Sequence, residues 1–272
     1  MKQRSLKTKL LLLTMGLFLS SGLAMTLMQS SSLQSLRSDI MAQTRSALEQ
    51  EVSRTLQFQA ERYAVQIGAL LQQSYQVPLG IAAQLEGSMA QPDRALSRPQ
   101  VETLLGSRLQ QASGISSIYA QFEADGYDGQ DASWQSGASH SVSDKGSLEI
   151  YFVRDQGGQV SQQQVDAAAS EAKYDTSVNE FGIRNSEWYL CGRDTRRPCL
   201  MEPYLYEISP GNQMLMTSLT VPILKEGKFV GITGVDMNLP IFQQLAESLG
   251  KSLYDNQADV TLVSKMGLIV GS

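Results

Sequence analysis

The 272-residue chain carries 22 basic and 27 acidic side chains, 42% hydrophobic residues and a formal charge of -5. The charge is uneven: Lys2, Arg4, Lys7 and Lys9 precede every acid, and without those four bases the remainder has 18 bases against 27 acids, about -9. So acidic a body excludes a nucleic-acid footprint and gives no reason to adhere to anionic lipid.

Residues 1–9 form a basic lead. Leu10 to Met28 is then apolar or small, and no charge follows until Arg37. Such a run of roughly 19 residues suffices to cross a bilayer core of about 30 Å. The basic flank predicts cytoplasmic residues 1–9, a transmembrane helix over 10–30 and a remainder on the far side of the membrane. A cleaved secretory signal has a similar pattern. Either reading sends the body to an oxidising compartment.

From 31 to about 90 apolar residues recur at spacings of three and four, including Leu33, Leu36, Ile40, Leu48, Val52 and Leu56. That stripe predicts a long helix. Directly after a membrane span it reads as a stalk, with homodimerisation through residues 33–77; an ordinary bundle helix would show the same stripe. Pro92 and Pro99 mark a break. Val101 to Ala112 then reads as a helix, Ile115 to Phe122 as a strand, and Ala124 to Asp144 as an exposed Gly/Ser/Asp-rich loop. Leu148 to Val153 reads as a strand and Ser161 to Ala172 as a short helix. Tyr174 to Pro210 reads mostly as a loop, long enough to be a functional lid. Met214 to Ile223 and Lys228 to Met237 read as a hairpin turning at Lys225-Glu226-Gly227. Pro240 to Leu249 reads as a helix, Pro240 in its first turn. Val260 to Val270 reads as a strand, a turn and the start of another strand. The fold class is therefore α+β: a long N-terminal helix followed by an antiparallel sheet.

Cys191 and Cys199 are the two cysteines. In an oxidising compartment an isolated pair reads as a disulfide. By the chain-entropy model so short a loop contributes about 2 to 3 kcal/mol. Zinc would need four ligands, and His140 is the single histidine, so no metal site is predicted. No nucleophile elbow, phosphate loop or zinc-protease helix occurs, so neither an enzyme nor a cofactor is predicted.

The candidate site lies between Trp188 and Asp236. Trp188, Tyr189 and Tyr204 can form an aromatic box that holds a cation and excludes water, or can pack beside the disulfide as local core. Asp236 closes a strand of Val, Ile, Gly and Thr. A buried carboxylate needs a partner, which a ligand ammonium supplies, although Asp also serves as a cap or turn residue. Arg184, Arg193, Arg196 and Arg197 crowd the preceding loop. One of them could clamp a carboxylate, while charges on such a loop are more often solvated.

Trp188-Tyr189, the Glu202-Pro203-Tyr204 step and Gly231-Ile-Thr-Gly-Val-Asp236 together resemble the ligand-binding half of a double Cache sensor domain of bacterial chemoreceptors. The resemblance covers most of 30–272, with specific motifs from about 174 to 238. It implies a PAS-like antiparallel sheet, with a membrane-distal module over 91–250 and the start of a membrane-proximal module over 251–272. It also implies a small amine or amino-acid ligand at Trp188, Tyr189, Tyr204, Asp236 and Arg184, and a signal passed across the membrane. Two positions depart from the family pattern: Ser186 stands where an Arg holds the ligand carboxylate, and Phe181 stands near the place of a leading Tyr. The same sensor type also precedes histidine kinases and cyclic-dinucleotide enzymes. A membrane-anchored periplasmic enzyme or assembly factor is the reading from a different class.

Overall fold

The computed structural model describes residues 6–155, 157–209, 212–253 and 258–272. It divides into two units, Met1–Val65 and Gln66–Ser272. Helix α1 (Leu6–Met89) supplies the first unit and enters the second. The residues expected as membrane span and stalk are helical, and α1 includes a stretch long and apolar enough to cross a membrane. Pro78 lies within α1 without ending it.

In the second unit α2 (Arg98–Gln111) is followed by β1 (Ser117–Phe122), β2 (Glu149–Arg154) and β3 (Val160–Gln164). Next come α3 (Ala167–Ala172), α4 (Glu187–Thr195), β4 (Cys199–Leu200) and β5 (Tyr204–Ser209). Then follow β6 (Asn212–Lys225), β7 (Lys228–Asn238), α5 (Pro240–Ser252), β8 (Leu262–Val263) and β9 (Ile269–Gly271). Strands β1 to β7 form one antiparallel sheet in the order β3-β2-β1-β7-β6-β4, with β5 also pairing β6. Strands β8 and β9 pair separately. The α+β class and the antiparallel sheet are as expected.

One local expectation is corrected and a second is refined. Val160 to Gln164 is a strand, and only Ala167–Ala172 of the expected helix is helical; β2 offers its free edge to the Gln run, while the Asp166 side chain caps α3 by accepting from the Ala169 N–H. The segment from Tyr174 is mostly loop, as expected, but it also holds a short helix, Glu187–Thr195, and two strands, Cys199–Leu200 and Tyr204–Ser209. Pro210 lies outside the described residues.

The pleat sends alternate residues to opposite faces of the sheet. On one face Ile118, Ala120 and Phe122 of β1 join Ile150, Leu219, Val221 and Val235 against α2, α5 and Ile81, Leu85 and Met89 of α1. On the other face Tyr119, Tyr151, Val153 and Ile232 pack with Tyr189 and Leu190 of α4. The disulfide Cys191–Cys199 ties α4 to β4 across a Cα separation of 6.4 Å. Glycine is required at 234: a Cβ there would meet the Tyr119 ring and hydroxyl at 2.5 Å. Tyr119 and Gly234 are register partners, so the missing side chain is what lets the Tyr119 ring lie across β7.

Two buried ionic clusters order the connections. The Arg98 guanidinium is closed off from solvent and bonds Asp128, Asp131, Ser141 Oγ and the Gly146 carbonyl. This cluster corrects the exposed-loop expectation for 124–144: Tyr127, Asp131, His140 and Ser141 are buried because the segment wraps the guanidinium. Lys173 follows α3. Its Nζ donates to Glu149 Oε1 at 2.6 Å and to the Phe122 carbonyl at 2.8 Å. Glu149 Oε1 also accepts from Ser170 at 2.7 Å, so the pair fixes α3 to the sheet.

Replacing one member of a buried pair strands the other charge and costs about 3 to 5 kcal/mol. Lys173→Met is therefore expected to lower the midpoint of thermal unfolding, and Lys173→Met with Glu149→Leu to recover most of the loss. Unfolding followed by circular dichroism checks both.

Candidate functional site

Under α3 and α4 the cavity face of the sheet is left partly uncovered, forming a cavity of about 350 Å³. Its floor comes from the pleat. Ser117, Tyr119 and Gln121 alternate along β1, Tyr151 is the β2 neighbour of Tyr119, and Asp236 on β7 pairs with Ser117. Tyr119, Gln121, Tyr151 and Asp236 line the cavity directly. Its walls come from Ala169 and Ala172 of α3, Ser186 and Trp188 at the start of α4, and Tyr204 and Tyr206 of β5. The small side chains of α3 leave the space open, and the aromatic ones shape it.

Asp236 is 3% exposed. Its Oδ1 accepts from Ser218 Oγ at 2.5 Å and its Oδ2 from Ser117 Oγ. Ser218 Oγ also lies 2.6 Å from the Tyr204 hydroxyl, which carries the network from β7 through β6 to β5. Among the described residues no Lys, Arg or His is paired with Asp236. Burial pushes its carboxyl up to about 6, against the opposing pull of its serine donors. Burial and the nearby Asp236 charge push Tyr119, Tyr151 and Tyr204 well above the ordinary phenol range, so these hydroxyls stay protonated. The site is thus an acidic floor with aromatic walls, and no basic side chain lines it among the described residues.

The structure brings Trp188, Tyr204 and Asp236 to this one cavity. It does not bring Tyr189 or Arg184 there. Tyr189 is fully buried beneath α4, donates to Glu123 Oε1 at 2.7 Å, and lies one helical position away from Trp188 on the core side. Arg184 pairs with Glu187 at 2.6 Å and Asp194 at 2.5 Å. Both carboxylates hold its guanidinium in an adjacent groove of about 580 Å³. Trp188 and Tyr204 line that groove as well as the cavity. Arg193, Arg196 and Arg197 line neither. Ser186 does line the cavity, so the position that holds an Arg in the resembling family here presents a hydroxyl, which donates to the Ala172 carbonyl.

Sequence reasoning missed Ser117, Tyr119, Gln121, Tyr151 and Ser218. The signal was present for β1: in Ser-Ile-Tyr-Ala-Gln-Phe every second residue is polar or amphipathic, the mark of a strand with two different faces. Which face meets a cavity depended on α3 and α4, whose positions the pattern did not contain.

A match to the family model of the methyl-accepting chemotaxis protein-like first PDC sensor domain covers residues 102–244. The chain belongs to this family. The match contains the whole sheet, the cavity and the disulfide. The methyl-accepting chemotaxis protein TlpQ of Pseudomonas aeruginosa is 30% identical over 173 residues, which is 64% of this chain and 23% of that relative. The chain thus aligns with about a quarter of a longer protein. Two solved structures share the fold. Methyl-accepting chemotaxis protein X has a TM-score of 0.57 at 20% identity, covering 74% of this chain and 68% of that one. The extracellular domain mmHK1S-Z3 has a TM-score of 0.54 at 22% identity, covering 76% of this chain and 65% of that one.

The raised pKa of Asp236 has a defined sign. The folded state holds the proton more tightly than the unfolded chain, so protonation stabilises the ligand-free fold at low pH. That contribution is lost as pH rises from about 4 to about 6. Above that window the ionised group costs on the order of 2 to 3 kcal/mol. Asp236→Asn is therefore expected to raise the unfolding midpoint of ligand-free protein at pH 7.5 and to leave it nearly unchanged at pH 4. Thermal melts at the two pH values check this.

Proposed function

We propose that the chain is the extracytoplasmic sensing region of a membrane-anchored chemoreceptor, and that its cavity binds a small amine or an amino-acid-like amine. In this reading residues 10–30 cross the bacterial inner membrane, the following residues stand in the periplasm, and a second copy pairs along the long helix. Family membership supports a sensor rather than an enzyme.

The observation that carries the ligand class is Asp236, a buried carboxylate at the cavity floor with hydroxyl donors and no protein cation. An ionised carboxylate in that position is costly without an opposite charge. A ligand ammonium supplies the charge, and the π faces of Trp188, Tyr204 and Tyr206 favour a cation between them. A ligand carboxylate finds no guanidinium, because Arg184 faces the other groove and Ser186 takes the place of the family's Arg. Amines without a carboxylate are thus favoured over zwitterions held at both ends.

Binding would close the aromatic walls over the ligand, and the receptor's two-state equilibrium shifts only by the ligand's differential affinity for the two states. The test is a thermal-shift screen of amines, amino acids and carboxylates. A ligand at about 100 times its dissociation constant adds roughly 2.7 kcal/mol. An amine hit that disappears in Asp236→Asn supports the reading. Hits confined to carboxylates, or an amine hit unchanged in Asp236→Asn, would refute it.

Because the ammonium requires an ionised Asp236, amine affinity is expected to be flat above pH 7. It should fall toward tenfold per pH unit once the solution is well below the carboxyl's value of about 6. Titration calorimetry between pH 4.5 and 8 measures this.

A further inference from the structure

The cavity floor carries a second polar feature at its other end. Gln121 is 8% exposed and lines the cavity, yet its Oε1 is closed off from solvent and has no hydrogen-bond partner among the described residues. A buried acceptor without a partner is costly, and native structures rarely keep one without a reason. Gln121 lies on the same face of β1 as Ser117, the residue that donates to Asp236. Four residue steps along the strand separate the two positions, about 13 Å at the rise of an antiparallel strand. This face of β1 therefore carries a hydrogen-bonded carboxylate beside Ser117 and, at Gln121, an amide oxygen that is closed off from solvent and lacks a partner.

The surroundings explain why no protein group reaches that oxygen. Ala169 and Ala172 of α3 stand over this end of the cavity and carry no donor. The nearby donor Lys173 is committed to Glu149 and the Phe122 carbonyl. Glu149, the cross-strand partner of Gln121, has its own Oε2 buried and unpartnered, so the end beneath Gln121 is rich in acceptors.

We infer that Gln121 is a specificity-determining residue that accepts a hydrogen bond from the end of the ligand opposite its ammonium, so that the site selects amines bearing a second N–H or O–H donor over simple alkylamines. This rests on the amine reading above and deepens it. The selectivity comes from the alternative: an alkyl terminus would bury the Gln121 oxygen beside a methyl group and leave it unpaired. Sites that place polar groups for a substrate donor discriminate strongly against analogues lacking it.

Three amines of matched length separate the outcomes: hexylamine, 5-aminopentan-1-ol and 1,5-diaminopentane. Each is titrated calorimetrically into the 272-residue chain in lipid nanodiscs, as wild type, Gln121→Leu and Asp236→Asn. For the wild type, the amino alcohol or the diamine is expected to bind at least tenfold more tightly than hexylamine. A preference for the alcohol identifies a neutral donor, and a preference for the diamine a second ammonium. Gln121→Leu is expected to reduce the preference to about threefold or less while hexylamine binds as well as before, a pattern that general loss of structure would not give. Equal wild-type affinities for all three, with Asp236→Asn still abolishing binding, would overturn the role of Gln121 and leave the amine reading standing. No binding of any of the three, or binding indifferent to Asp236→Asn, would overturn both. A tenfold wild-type preference that survives Gln121→Leu would place the second acceptor on another residue and overturn the assignment.

Discussion

The two-residue pleat of β1, held between β2 and β7, is the constraint from which the rest of this sensor unit follows. Even-numbered residues enter the apolar core against α1, α2 and α5, while odd-numbered ones face the cavity. A slip of one residue would bury Gln121 in the core and send Ile118 and Phe122 to the cavity. The register is secured on the β7 side by Gly234, which accepts the Tyr119 ring where any side chain would collide. Core packing and site geometry are thus specified by the same backbone pairing.

The cavity exists because the helices above that face are held away from it. The Lys173–Glu149 pair seats α3, and the disulfide and the Tyr189–Glu123 hydrogen bond seat α4. The aromatic residues of the α4 start therefore divide their work by one helical position. Tyr189 turns inward and anchors, whereas Trp188 stands between cavity and groove. Adjacent residues on a helix point about 100° apart, so two neighbouring aromatics rarely serve one wall.

Asp236 gathers the stability and the function of the site into one group. Without a cation it is a burial cost that the Ser117 and Ser218 hydroxyls reduce without removing. An amide or an apolar residue there would cost the ligand-free fold less, so under the proposed function the carboxylate trades folding stability for a charged anchor. Its elevated pKa then sets the pH range over which a cationic ligand would be held.

The sequence by itself determined the long helix, the antiparallel α+β class, the Met214–Met237 hairpin and the disulfide partners, and it singled out Trp188, Tyr204 and Asp236, which the structure places at one cavity. Those features rest on local signals: period, turn chemistry, cysteine count and a motif of fixed spacing. It missed α4 within the loop from Tyr174, because α4 is short and its helical character depends on packing Tyr189 and Leu190 against the sheet and on the disulfide. It did not separate Tyr189 and Arg184 from the cavity, since the direction of a helical side chain and the choice of Glu187 and Asp194 as ion partners are settled only when the segment folds. Nor did it reveal Tyr119, Gln121, Tyr151 or Ser218. Each is contributed by a different point along the chain or read as an ordinary strand residue, and only the pairing of β1 with β2 and β7, and of β6 with β7, gathers them beneath α3 and α4. Tertiary structure decided the site because a cavity is a property of what several elements leave unfilled, and no single segment encodes that space.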